Sequence, residues 1–247
     1  MITIFRNLRK KLASENRFMA YSRYAIGEII LVVIGILIAL QVNNWNEKRK
    51  EQIQSENYLK SMVLDLSSDT LKLNDYMDFL NYLAKNRSQL LQTKTVSNLS
   101  VDSIIALFQP RYDEIKINDQ TFQKMRSMGI IEIKGHEKLM DSITYYYTSQ
   151  VDRFNSVIEW EVEFSKKDAD YWYYNKAFET PYLSDEFDYL NSEKQRKQIF
   201  DSLLKTINTR NRIRTSLFRK RFALKGVLRT KKQTIGLIGL INQSLEN

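Results

Sequence analysis

The 247-residue chain contains no cysteine, one histidine, two prolines and seven glycines. Without cysteine there are no disulfides, no thiolate metal sites, no cysteine nucleophile and no cysteine for lipidation. With His136 as the sole histidine, His-rich metal sites are excluded, and a metal would need an all-oxygen shell of carboxylates. His136 itself sits beside Gly135 at an expected helix start, where a surface or capping role suffices. So few glycines and prolines leave the backbone few places to turn, which favours long helices over a sheet. No P-loop, GxSxG or dinucleotide fingerprint occurs, so neither a cofactor nor catalysis is expected.

What the chain does have is one apolar run. From Ile29 to Leu40 it reads IILVVIGILIAL without a polar side chain, and the run extends to Val42 past Gln41. Taken as helix, Tyr24 to Val42 spans roughly 28 Å at about 1.5 Å per residue, close to the ~30 Å hydrocarbon core of a bilayer. Tyr21 and Tyr24 at one end and Trp45 at the other stand where interfacial aromatics anchor a membrane helix. Gly35 and Ala39 form a small-xxx-small pair that lets two copies approach closely. Glu28 falls in the first turn, where a carboxylate suits the helix N-terminus and reaches water or Arg23. Tyr24, Glu28, Gly35, Ala39 and Trp45 are thus the expected membrane anchor. A cleaved signal peptide is the rival reading, but the run is long for one and no clean small-x-small cleavage site follows it.

Charge orients the span. Residues 1–24 carry a net charge of +5 and residues 43–60 only +1, so the positive-inside rule places the N-terminus in the cytoplasm. Ile4, Phe5, Leu8 and Leu12 share one helical face opposite Arg6, Arg9, Lys10 and Lys11, the pattern of a helix lying on an anionic leaflet.

The segment YAIGEIILVVIGILIALQVNNWNE at residues 24–47, with the preceding RNLRKKLASENRF, resembles an uncharacterised family of small membrane proteins common in Bacteroidota, a domain of unknown function. A looser echo appears in TFQKMRSMGIIEI and the YYY that follows. The resemblance implies a Gram-negative inner-membrane protein and implies no activity, substrate or catalytic residue.

Beyond Trp45 there is no glycine or proline until Pro110, so the spanning helix is expected to continue outward. Leu59, Leu66, Leu73 and Leu80 recur every seven residues, with Met62, Tyr76, Leu83 and Leu90 at companion positions and Asp69 breaking the series. The stripe reads as the core face of a bundle, with a coiled-coil seam as the alternative. Residues 93–100 read as a loop, 101–109 as a short helix stopped by Pro110, and 111–117 as extended chain. Asn118 is placed as the N-cap of a helix ending at Gly129. A third long helix is expected from His136, with its buried face at Ile143, Tyr147, Val151, Phe154 and Ile158, and Pro181 closing the region after the aromatic cluster Tyr171 to Tyr174. Ser192 with Gln195 forms a capping box for a final helix running toward Asn247, with Ile199, Leu203 and Ile207 as its buried stripe. GLIGLI at 236–241 is too short for a second crossing. The expected fold is all-α: a cytoplasmic amphipathic basic segment (1–23), a transmembrane helix (24–45) and an extramembrane bundle of long helices (46–247).

Residues 159–193 carry ten acids and three lysines, whereas 194–232 carry fourteen bases against Asp201. The simplest expectation is an acidic helix beside a basic one, joined by surface pairs. The basic surplus, at Arg210, Arg212, Arg214, Arg219, Lys220, Arg221, Lys225 and Arg229, is a candidate surface for an anionic partner such as lipid headgroups or an acidic protein. No nucleic-acid recognition motif accompanies it, so no nucleic acid is expected. Glu159, Glu161 and Glu163 alternate around Trp160 and read as a solvated edge. The leading expectation is a non-enzymatic, inner-membrane-anchored module with a periplasmic domain that senses, binds or scaffolds, in contact with the bilayer and with a protein partner or a second copy of itself. The alternatives are an envelope polymer or lipid hydrolase or transferase using carboxylates among Glu159, Glu161, Glu163, Asp168 and Asp170, and a module that binds anionic lipid.

Overall fold

A computed structural model describes residues 18–130, 133, 136–174, 179 and 186–246. The basic face of residues 1–17, Gly135, Pro181 and Asn247 lie outside the described residues. Within them every regular element is helical, and a long apolar N-terminal helix is followed by further helices, the expected all-α class. The chain divides after Asn57 into two units.

The first element, α1, is one helix over Phe18–Gln92. Residues 29–54 of it, in the first unit, are exposed at every position, apolar and polar alike.

In the second unit the leucine stripe does what its spacing requires. Leu59, Leu66, Leu73 and Leu80 are buried with Met62 and Tyr76, and they share one core with Ile143, Phe154, Ile158 and Val227, so the stripe is a bundle face. Asp69 does not break the stripe outward; it is fully buried and accepts hydrogen bonds from the Asn118 amide N–H at 2.9 Å and from Lys72 at 3.1 Å.

After the loop at 93–100, Ser100 caps α2 (Val101–Phe108) by accepting from the Ser103 N–H, and the helix stops before Pro110. Through 111–119 no regular structure forms, but Ile115 and Ile117 are buried while Glu114 and Lys116 are exposed, the two-residue alternation of an extended segment. The N-cap of α3 (Gln120–Ser127) is Asp119, one residue later than expected, while the Asn118 side chain accepts from the Gln120 N–H at 3.2 Å. Gly129, at φ 73°, ends α3 in a Schellman motif, with Ile130 donating to the Met125 carbonyl and Gly129 to that of Arg126. This whole segment runs back along α1: Asp65 meets Thr121, Tyr76 donates to the Asp113 carbonyl, and Arg87 reaches the Gln109 carbonyl.

The expected third helix is α4 (Glu137–Tyr145) and α5 (Val151–Tyr173), joined by a π-helical turn at Tyr146–Gln150. The capping box at Ser192 and Gln195 forms and starts α6 (Glu193–Leu204). That helix stops at Lys205 and Thr206, and the Thr206 hydroxyl accepts from the Thr209 N–H to start α7 (Ile207–Glu246). The expected stripe at Ile199, Leu203 and Ile207 is wrong: within α6 the buried face lies one position on, at Phe200 and Leu204, with Ile199 and Leu203 half-buried beside it, and beyond the break Ile207 is exposed. Helices α4 and α5 run antiparallel to α7, as the ladder of contacts His136 to Ser244, Tyr146 to Thr234, Glu161 to Lys220 and Asp168 to Arg212 shows.

Candidate functional site

Continuing the α5 stripe beyond Ile158 at steps of three and four lands on Glu161, Ser165, Asp168 and Trp172, and all four are buried. On α7 the inward positions Ser216, Arg219 and Lys220 face them, and Arg87 enters from α1. The groups meet as a buried polar layer between two hydrophobic clusters. One contains Leu80, Ile158 and Ala223; the other contains Leu90, Trp172 and Ile213.

Within the layer the Lys220 ammonium donates to the Glu161 carboxylate, to Ser165 Oγ at 2.8 Å and to the Arg111 carbonyl at 3.3 Å, and Ser165 donates to Glu161 at 2.7 Å. Asp168 is bound by the Arg219 guanidinium and by Arg212 at 3.4 Å. Arg212 also lies 3.8 Å over the Tyr171 ring. Arg87 donates to the carbonyls of Leu107 and Gln109, the latter at 2.7 Å, and contacts Ser216 at 3.4 Å. Four cations thus surround two carboxylates, and the carbonyls at the end of α2 and in the following loop absorb part of the surplus. Burial pulls the Arg87 guanidinium down to about 10, with Asp168 opposing it. Burial likewise lowers Lys220, opposed by Glu161, and raises the Tyr76 hydroxyl, reinforced by the Glu161 charge.

This geometry corrects two sequence expectations. Arg219 and Lys220 do not belong to an outer cationic surface, because the inward face of α7 carries them into the bundle. Glu161 is not part of a solvated edge, although Glu159 and Glu163 are exposed, since successive residues on a helix point about 100° apart. The pairing of the acidic and basic blocks is therefore largely internal. Of the remaining basic residues, Arg210 donates to the Leu91 carbonyl at 3.1 Å, and Arg214, Arg221, Lys225 and Arg229 are exposed. Glu159, Glu163 and Asp170 stand exposed and apart from the two buried carboxylates. Among the described residues no group of three or more His, Asp or Glu is placed to hold a metal.

In the first unit the residues expected to form a membrane anchor all lie on α1. Tyr24 and Glu28 are half-buried, Gly35 and Ala39 are exposed, and a side chain at Gly35 would meet nothing within 4 Å. Trp45 is 64% exposed. This helix is long and apolar enough to cross a membrane, and none of its most apolar window is buried within the protein.

A family of unknown function, DUF6090, has a model that matches residues 28–128, from the apolar stretch through the end of α3. No curated protein and no solved structure matches the chain. The chain is thus similar over that range to an uncharacterised domain family, whose description assigns no activity.

Proposed function

We propose that the chain is a membrane-anchored helical protein of a bacterial envelope that binds, senses or scaffolds without catalysis. Residues 24–45 cross the inner membrane, residues 1–23 lie on the cytoplasmic side, and residues 46–247 form the periplasmic part. The observation that carries this reading is the helix at Ile29–Val42, whose apolar side chains are exposed throughout. Ten Ile, Leu or Val residues between Ile29 and Leu40 favour insertion by about 3–6 kcal/mol in total on a translocon scale. Water leaves that area unburied; lipid does not. The resemblance of residues 24–47 to a Bacteroidota family of membrane proteins supports the inner-membrane placement, and the excess of positive charge before the span supports the orientation.

A binding or scaffolding role is supported by the helical domain and its exposed cations, while Glu161 and Asp168 are both engaged in buried ion pairs. A binding or scaffolding role of this kind would be exercised through a partner protein or a second copy of the chain. Purifying the full chain from membranes in mild detergent, with mass spectrometry of the co-purifying proteins, tests this. A reproducible companion or homo-oligomer is expected; a monomer with no companion contradicts it.

A further inference from the structure

Where the π-turn meets α5, the bundle opens into a groove of about 240 Å³ between α5 and α7. One side chain from α5 and two from α7 give it its charge: Arg153, Lys225 and Arg229, all exposed. None of them forms an ion pair with a described carboxylate, and no acid lines the groove. Its remaining polar groups are the neutral Ser149, Gln150, Thr230 and Gln233.

The other half of the lining is apolar. Phe154 and Val157 form the floor, and Tyr145 and Phe222, 57% and 45% exposed, stand as walls. Phe222 continues into further rings outside the groove, with Trp160 at 5.8 Å and Phe218 at 6.1 Å between centroids. Two backbone features shape the cleft. The π-turn inserts an extra residue per turn and rotates Tyr145 relative to Arg153, and such turns concentrate at functional sites. Gly226 lines the cleft beside Val157, where a Cβ would stand in ordinary contact at 3.4 Å, and its missing side chain leaves that part of the lining open.

Three uncompensated cations select an anion, and an aromatic wall contiguous with a cationic rim selects a hydrocarbon attached to it. We propose that this groove binds an anionic amphiphile, with a phosphate- or carboxylate-bearing head on Arg153, Lys225 and Arg229 and a hydrocarbon chain along Phe222 and its neighbouring rings. The site gives a ligand class to the binding role proposed above. It stands on residues 145–233 alone, so its failure would leave the membrane assignment untouched.

The test is a thermal melt of the full chain in neutral maltoside micelles, followed by far-UV circular dichroism, with dodecyl phosphate, inorganic phosphate or additional neutral detergent as the titrant. Dodecyl phosphate raises the melting temperature saturably, and inorganic phosphate does so only at much higher concentration. The Arg153→Gln, Lys225→Gln, Arg229→Gln triple variant weakens the effect about ten-fold or more. Gly226→Leu, which plugs the cleft, also weakens it, whereas Lys231→Gln with Lys232→Gln, on the same helix but outside the groove, leaves it unchanged. An equal response in the parent and the triple variant, or no response in the parent, overturns the proposal. Inorganic phosphate acting as well as dodecyl phosphate overturns the amphiphile and leaves a simple anion site.

Discussion

The Lys220 ammonium and the Glu161 carboxylate meet inside the helical bundle with side-chain exposures of 1% and 0%. Taking both charges out of water costs several kcal/mol each, and only their mutual attraction and the hydrogen bonds of Ser165 and the Arg111 carbonyl offset it. The intact pair therefore adds little net stability, whereas losing one partner is costly.

Removing one partner leaves the other buried and uncompensated. Lys220→Met is expected to destabilise the chain by about 3–5 kcal/mol, and adding Glu161→Leu to recover most or all of that loss. Denaturant melts of the two variants in detergent check this. A double variant no more stable than Lys220→Met would show that the layer is not governed by charge burial.

Arg87 spans two carbonyls and Ser216 with a planar fork of donors, which a single ammonium cannot reproduce. Arg87→Lys is expected to lose about 1.5–3 kcal/mol, the scale of a hydrogen bond to a charged group. The readout is the denaturation midpoint at constant slope. A change within about 0.5 kcal/mol, the scale of an ordinary surface substitution, would contradict the role assigned to the fork.

Asp69 gives a pH dependence with a definite sign. Burial raises its carboxyl above the ordinary 3.8, against the opposing Asn118 N–H and Lys72. The fold thus favours the neutral acid, and this contribution is complete below pH 3.8 and is lost as pH rises through the raised folded-state value. Asp69→Asn keeps an oxygen for the Asn118 amide and cannot ionise. The stability of the parent relative to this variant is expected to fall between acidic and neutral pH; a difference that does not change with pH contradicts the assignment.

Gly236 and Gly239 lie on α7, where an added methyl would meet nothing within 4 Å. Each Gly→Ala substitution there is expected to stabilise by about 0.5–1 kcal/mol through helix propensity alone. Gly129, at φ 73°, is expected to respond oppositely, Gly129→Ala costing about 1 kcal/mol. Thermal melts of the three variants separate the two cases, and a stabilising Gly129→Ala would contradict the Schellman ending of α3.

The parts of this architecture legible in the sequence are those set by short-range rules. The apolar run at 29–42, the leucine stripe at Leu59 to Leu80, the stop before Pro110 and the capping box at Ser192 each follow from a pattern within one continuous stretch of sequence. The polar layer does not, because Glu161 reads as one of three surface glutamates until its phase with Phe154 and Ile158 is extended and a cation 59 residues away is found. Lys220 and Arg219 were hidden in the same way by a basic run whose inward members carry the same charge as the outward ones. The break at Thr206 is marked only by a threonine cap, and the burial of Phe200 in place of Ile199 rests on Phe108, a partner distant in sequence. The groove depends on a π-turn that no local pattern announces.

The proposed architecture requires Ile29 to Val42 to lie in lipid. Alkaline carbonate extraction of membranes containing the full chain, read by immunoblot of pellet and supernatant, distinguishes an inserted chain from an adsorbed one. The chain is expected to remain in the pellet, and charging the run, as in Ile34→Arg with Leu37→Arg, is expected to move it to the supernatant. Release of the unaltered chain by carbonate would show that this run is not inserted.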